Sequence, residues 1–305
     1  MKPGRPLLVL LLVACAAPLF SQSKKDDPNQ IGNREVGKGL NFYSLEKEIA
    51  LGRQLAREVQ RQAKIVDEPI IAEYVNRLGQ NLVRNSDAKV PFTFRVIDND
   101  VPNAFALPGG YVFVNTGLIE LAEEEDELAG AIAHEIAHVA ARHMTRRATK
   151  SEIASLATLP LSVLLPGWAG IVSQGVGSVA VPMGFLRFSR TDESEADYLG
   201  VQYLYAAGYD PTAVITVLEK LDALSHRRLG GVSRLFSTHP VDSDRIQKTQ
   251  KEIQQILPPR DLYIVDTSDY HNMRERVFSM EARRKPEEQD TRPHLIRPSE
   301  AATSR

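Results

Sequence analysis

Residues 131–143 read AIAHEIAHVAARH and carry three of the chain's seven histidines, with a glutamate directly after the first. On an α-helix each residue advances about 100°, so positions four apart project from one face. His134 and His138 can therefore hold one ion between their imidazole nitrogens. Glu135 falls about 100° from His134, beside that ion rather than over it, where a general base toward water belongs. The neighbours Ala131, Ile132, Ala133, Ile136 and Ala137 are small and apolar, which predicts a helix packed on most sides. Burying a glutamate and two histidines there is costly unless something pairs with them, and a metal is the economical partner. A continuous helix would put His143, nine residues beyond His134, about 180° away. It is read as a polar contact of the opposite face, not a ligand. Met144 and Ala141 stand where a third ligand histidine and a glycine would extend the motif, so that longer pattern is rejected.

Two histidines leave a zinc ion underligated. The stretch FSRTDESEADYLG (188–200) supplies candidates: Glu193 and Asp197 are spaced i and i+4 and share a face. One would ligate while the other accepts a hydrogen bond from a ligand histidine and fixes its tautomer. Glu195, about 200° from Glu193, is expected to face solvent. A capped helix start with acidic residues drawn to the helix dipole would explain the charges, though not their pairing with the histidine helix.

The chain has 305 residues, 43% of them hydrophobic, enough for one large domain with extensions. Its 37 basic and 39 acidic residues give a net charge of −2 and no electrostatic reason to expect nucleic acid. The N-terminus, MKPGRPLLVLLLVACAAPLFSQSKKDD, has a basic start at Lys2 and Arg5 and an apolar run too short to span a bilayer. Residues 1–21 read as an export signal directing the protein to a bacterial periplasm. LVAC ending at Cys15 resembles a lipobox that would anchor the protein by a lipid; cleavage after Ser21 is the alternative. Cys15 is the sole cysteine, so no disulfide is available to the exported domain.

Residues 22–43 suggest a linker, 44–275 the domain, and 276–305 a charged, disordered tail. Helices are expected from Ser44, from Pro69, over about 125–149, 192–207, 211–225 and 240–256, with Ser44 an N-cap. FTFRVID (92–98) and YVFVN (111–115) read as strands, with LPGG between them as the turn. Segment 153–186 is apolar but broken by Pro160, Pro166 and Pro182, which favours an apolar hairpin against a membrane or substrate over a spanning helix.

HEIAH, SRTDESEAD (189–197) and STHPVDSDRI (237–246), in that order, resemble metallopeptidase family 48, as does VPNAFALPGGYVFVNTGLI upstream. The likeness covers roughly residues 44–257 and is similar above all to exported, BepA-like members standing alone. It implies an α+β, zincin-like fold, mostly α-helical with a small antiparallel sheet next to the histidine helix. It implies one zinc per chain on His134, His138 and Glu193, with Asp197 behind a ligand and Glu135 as the base. His239 matches a histidine able to reach the zinc and hold the enzyme latent, and Arg245 falls near the active site; read alone, His239 is a loop residue capping the next helix. Asn103, Ala104, Gly110, Tyr111 and Val112 would bind an extended polypeptide along an open strand edge. The implied activity is zinc-dependent hydrolysis of exported or misfolded envelope proteins. A latent protease acting as a chaperone or assembly factor is the alternative, and a structural zinc protein with no hydrolysis is a further rival.

Overall fold

The computed structural model describes residues 27–157, 188–227, 239 and 243–290. The export signal, most of the apolar segment 153–186 and the end of the tail lie outside the described residues. A two-helix entry to the domain starts with α1 (Leu45–Gln62), where Ser44 accepts a hydrogen bond from the Lys47 N–H, as its sequence position requires. Next, α2 (Pro69–Arg84) begins on proline, whose missing N–H costs nothing at a helix start.

Three strands follow: β1 (Thr93–Ile97), β2 (Ala104–Leu107) and β3 (Tyr111–Asn115), in spatial order β1-β3-β2. The sheet is mixed rather than antiparallel, because β1 runs parallel to β3 and only β2 opposes it. LPGG therefore does not join the two strands read from the sequence. It turns β2 into β3, with Gly109 and Gly110 at φ +73° and +91°, a region costly to side-chain-bearing residues.

After α3 (Thr116–Leu121) comes α4 (Glu125–Ala140), the histidine helix. Leu128, Ala129, Ile132, Ala133, Ile136 and Ala137 are fully buried, so packing surrounds α4 as its small apolar residues predict. It does not continue to residue 149. Arg142 adopts φ 57°, left-handed backbone that ends the helix, and α5 (His143–Ala157) starts afresh. A non-glycine residue there costs about 1–2 kcal/mol. The Arg142 guanidinium offsets this by donating to Glu48 Oε1 at 2.7 Å and to the Tyr43 carbonyl.

The chain returns through α6 (Arg190–Ala206), opened by a reciprocal Ser189–Asp192 capping box, then α7 (Ala213–Arg227) and α8 (Ser243–Ile256). The last helix, α9 (Ser268–Asp290), packs Tyr270, Met273 and Val277 into the core. The domain thus runs past residue 275, and the first part of the expected tail is helix. Gly200 of α6 lies against the His134 backbone, where an added Cβ would come within 3.3 Å, so the two helices approach closely at the histidine. No described helix is long and apolar enough to cross a membrane.

Within residues 27–43, expected as a linker, Arg34 ties the chain to the domain. Arg34 is buried and donates to Asp87 Oδ2 (2.8 Å) and Gln202 Oε1 (2.6 Å), while Tyr203 donates to the same Asp87 oxygen (2.9 Å). Breaking a buried pair leaves an uncompensated charge, so Asp87→Ala is expected to destabilise the domain by about 3–5 kcal/mol. Urea unfolding checks this: the midpoint should fall with the slope unchanged.

Candidate active site

The α4–α6 contact brings together the residues singled out by spacing. His134, His138, Glu193 and His239 each offer one ligand atom, all within 4.8 Å of one another. His134 Nε2 lies 3.0 Å from His138 Nε2, 3.4 Å from Glu193 Oε2 and 3.4 Å from His239 Nδ1. Glu193 Oε1 lies 3.0 Å from His239 Nδ1 and 3.6 Å from His138 Nε2. Ligands about 2.0–2.1 Å from a tetrahedral zinc ion stand about 3.3–3.4 Å apart, so the nitrogen and oxygen donors fit such an ion.

Behind the donors stands a charged support. His134 Nδ1 donates to Asp197 Oδ1 at 2.9 Å, leaving Nε2 toward the donor group. Arg245 grips Asp197 with two donors, Nε to Oδ2 at 2.5 Å and Nη2 to Oδ1 at 2.8 Å, and its Nη1 reaches Glu193 Oε2 at 2.8 Å. Its fork is engaged by carboxylates, and the same side chain lines the cleft beside His134, Glu135 and His239. Burial pushes the Asp197 carboxyl up, yet the Arg245 charge and hydrogen bonds hold it below the ordinary range. Glu193 is likewise held well below that range, burial being outweighed by His239 and His134.

Burial also acts first on the histidines. It drives His134 down, but hydrogen bonds to Asp197 and Glu193 overcome it and raise the ring to about 9. His138 is pushed well below its usual value by burial and then by His134, which together outweigh the nearby Glu193 carboxylate. Glu135 is raised by burial, and among the described residues its Oε2 has no hydrogen-bond partner, an acceptor held ready for a proton. His239 Nε2 stands 3.4 Å from the other Glu135 oxygen.

The edge strand differs from the sequence expectation. Because β3 is central, covered by β1 on one side and β2 on the other, Gly110, Tyr111 and Val112 are not on an open edge. The Gly110 carbonyl accepts from the Thr93 N–H at 2.8 Å, and Val112 is fully buried. Among the described residues the free edge belongs to β2. Asn115 donates to the Asn103 carbonyl (2.9 Å), so by alternation Ala104 and Ala106 turn their N–H and C=O groups away from β3. Asn103 and Ala104 also line a cleft shared with His134 and Glu135, floored by Val214, Val217 and Leu218 of α7.

Two contributors escaped the sequence reading. Phe188 lies on the His138 ring, centroids 3.9 Å apart, and walls the site. His143 is not on an opposite face: the break at Arg142 turns it back, with its Nδ1 2.9 Å from His138 Nδ1. Glu195, expected in solvent, is half-buried against His143 and Arg146 at 3.2 and 3.1 Å.

Peptidase family M48 matches residues 69–253. A Vibrio cholerae protein is 33% identical over 284 residues, covering 90% of this chain and 57% of its own. The beta-barrel assembly-enhancing protease of Escherichia coli (strain K12) is 29% identical over 90% of this chain and 56% of its own. The mitochondrial metalloendopeptidase OMA1 of Schizosaccharomyces pombe is 34% identical over 65% of this chain and 56% of its own. The chain belongs to peptidase family M48. It spans little more than half the length of these relatives.

A ring raised to about 9 carries its proton at pH 7, and a metal taking Nε2 must displace it. Metal uptake at pH 7 should therefore release about one proton from His134, and progressively less as pH rises through that value. Calorimetry in buffers of different ionisation enthalpy measures the count; no release at pH 7 would contradict the assignment.

Proposed function

We propose that the protein is a zinc-dependent endopeptidase acting on extended segments of exported or misfolded envelope polypeptides. The observation that carries the reading is Glu135: a buried carboxylate with a free oxygen, beside four metal-ligating donors and the open edge of β2. His134, His138 and Glu193 would hold the ion, which when bound supplies Lewis acidity toward a water and a peptide carbonyl. Nitrogen and carboxylate donors in a compact group suit zinc. The β2 edge at Ala104 and Ala106 would pair with the substrate backbone and fix the scissile bond over Glu135. Glu135 would take a proton from the attacking water and hand it to the leaving amine, a role its raised affinity for protons favours. Asp197 and Arg245 would keep His134 and Glu193 in place through both transfers.

The basic and apolar N-terminus supports export to a bacterial periplasm, with lipidation of Cys15 as one route to a membrane. The name of the Escherichia coli relative, a beta-barrel assembly-enhancing protease, favours clients of β-barrel assembly among the substrates.

Glu135→Gln tests the base. It should retain metal while casein cleavage falls by about 10²–10⁴-fold, the usual worth of a positioned general base. Undiminished cleavage would remove Glu135 from the mechanism.

One observation favours a second, compatible reading, a latent resting state with chaperone-like client holding. His239 completes a four-donor set and lies against Glu135, where the reacting water has to stand. Closed four-donor sites are characteristic of inert zinc. His239→Ala should then raise casein cleavage several-fold at equal metal content; equal or lower cleavage contradicts latency.

A further inference from the structure

We propose that His143 is a positioning residue for the metal ligand His138: it accepts the His138 Nδ1–H, fixes that ring's tautomer, and is itself anchored by Glu195. This rests on the reading of His138 as a ligand. His143 is fully buried and is not among the four donors that converge. The His138 and His143 rings meet edge-on, at 74° with centroids 4.9 Å apart, and present Nδ1 to Nδ1 at 2.9 Å. Two facing ring nitrogens hold one proton between them.

Which ring carries it follows from the other side of His138. Its Nε2 faces the donor group, 3.0 Å from His134 Nε2 and 3.6 Å from Glu193 Oε1, and must keep its lone pair to ligate. The His138 proton is then on Nδ1, and His143 Nδ1 accepts it. The proton of neutral His143 is consequently on Nε2, 3.2 Å from Glu195 Oε2, to which it donates. Glu195 is held in turn by Arg146 Nη1 at 3.1 Å. With both rings neutral, this one arrangement satisfies every nitrogen in the chain from Glu195 to the donor group.

The two ligand histidines are thus supported differently. His134 donates straight to the Asp197 carboxylate, while His138 reaches a carboxylate through a second imidazole. The left-handed turn at Arg142 makes the second arrangement, since it starts α5 with His143 folded back beside α4.

Zinc dissociation constants of the full chain, read by competition with a fluorescent chelator, test the assignment. His143→Asn keeps an acceptor oxygen near the Nδ1 position, whereas His143→Leu keeps bulk without an acceptor. The expected result is zinc binding about 10–100-fold weaker in His143→Leu and close to unaltered in His143→Asn, with similar metal-free melting temperatures. Tight binding by His143→Leu overturns the proposal, as does equal weakening in both variants. If His143→Leu does not fold, the pair Glu195→Gln and Glu195→Leu replaces it. Glu195→Leu should weaken zinc binding and Glu195→Gln should preserve it; equal binding overturns the proposal. Absence of zinc from the unaltered chain would instead overturn the metal reading of His138, and this assignment with it.

Discussion

The approach of α4 to α6 at His134 and Gly200 is the constraint on which the site depends. It buries two histidines and three carboxylates where water cannot solvate them, and a buried ionisable group survives only if paired. Arg245 supplies one positive charge to Asp197 and Glu193 together, and Asp197 spends it on orienting His134. The remaining surplus of donors points inward to a single position. A metal ion held there would convert an expensive cluster into a stable one.

The rest of the fold serves that approach. The mixed sheet holds β2 beside α4, so the backbone edge and the base line one cleft. The early segment around Arg34 ties the start of the domain to α6 through Gln202 and Asp87. Arg142, fastened to Glu48, stops α4 one turn after its second ligand and turns the chain back under it.

What the sequence revealed was governed by local periodicity. The spacing of four between His134 and His138, and between Glu193 and Asp197, is set by helix geometry alone and needs no tertiary knowledge. Helix starts at Ser44 and Pro69 are written in their opening residues, whereas α6 starts at Arg190, two residues before the expected position. His239 and Arg245 were legible only through the resemblance, since a histidine before a proline has no periodic signature. What stayed hidden depends on long-range contacts. Arg34 finds its partners 53 and 168 residues away, so its polar surroundings read as a linker. The left-handed Arg142 is stabilised by Glu48, 94 residues earlier, and without that knowledge His143 was assigned to the wrong face. The four residues of β2 are too few to show alternation, and parallel pairing of β1 with β3 leaves no hairpin signal.

The most direct test of the central claim is native mass spectrometry of the purified full chain beside Glu193→Ala. The account predicts one zinc per unaltered chain, and none in the variant at the same protein concentration. An unaltered chain that is folded yet metal-free under zinc-replete conditions would contradict it, because the inward-facing donors would then be balanced by protons alone.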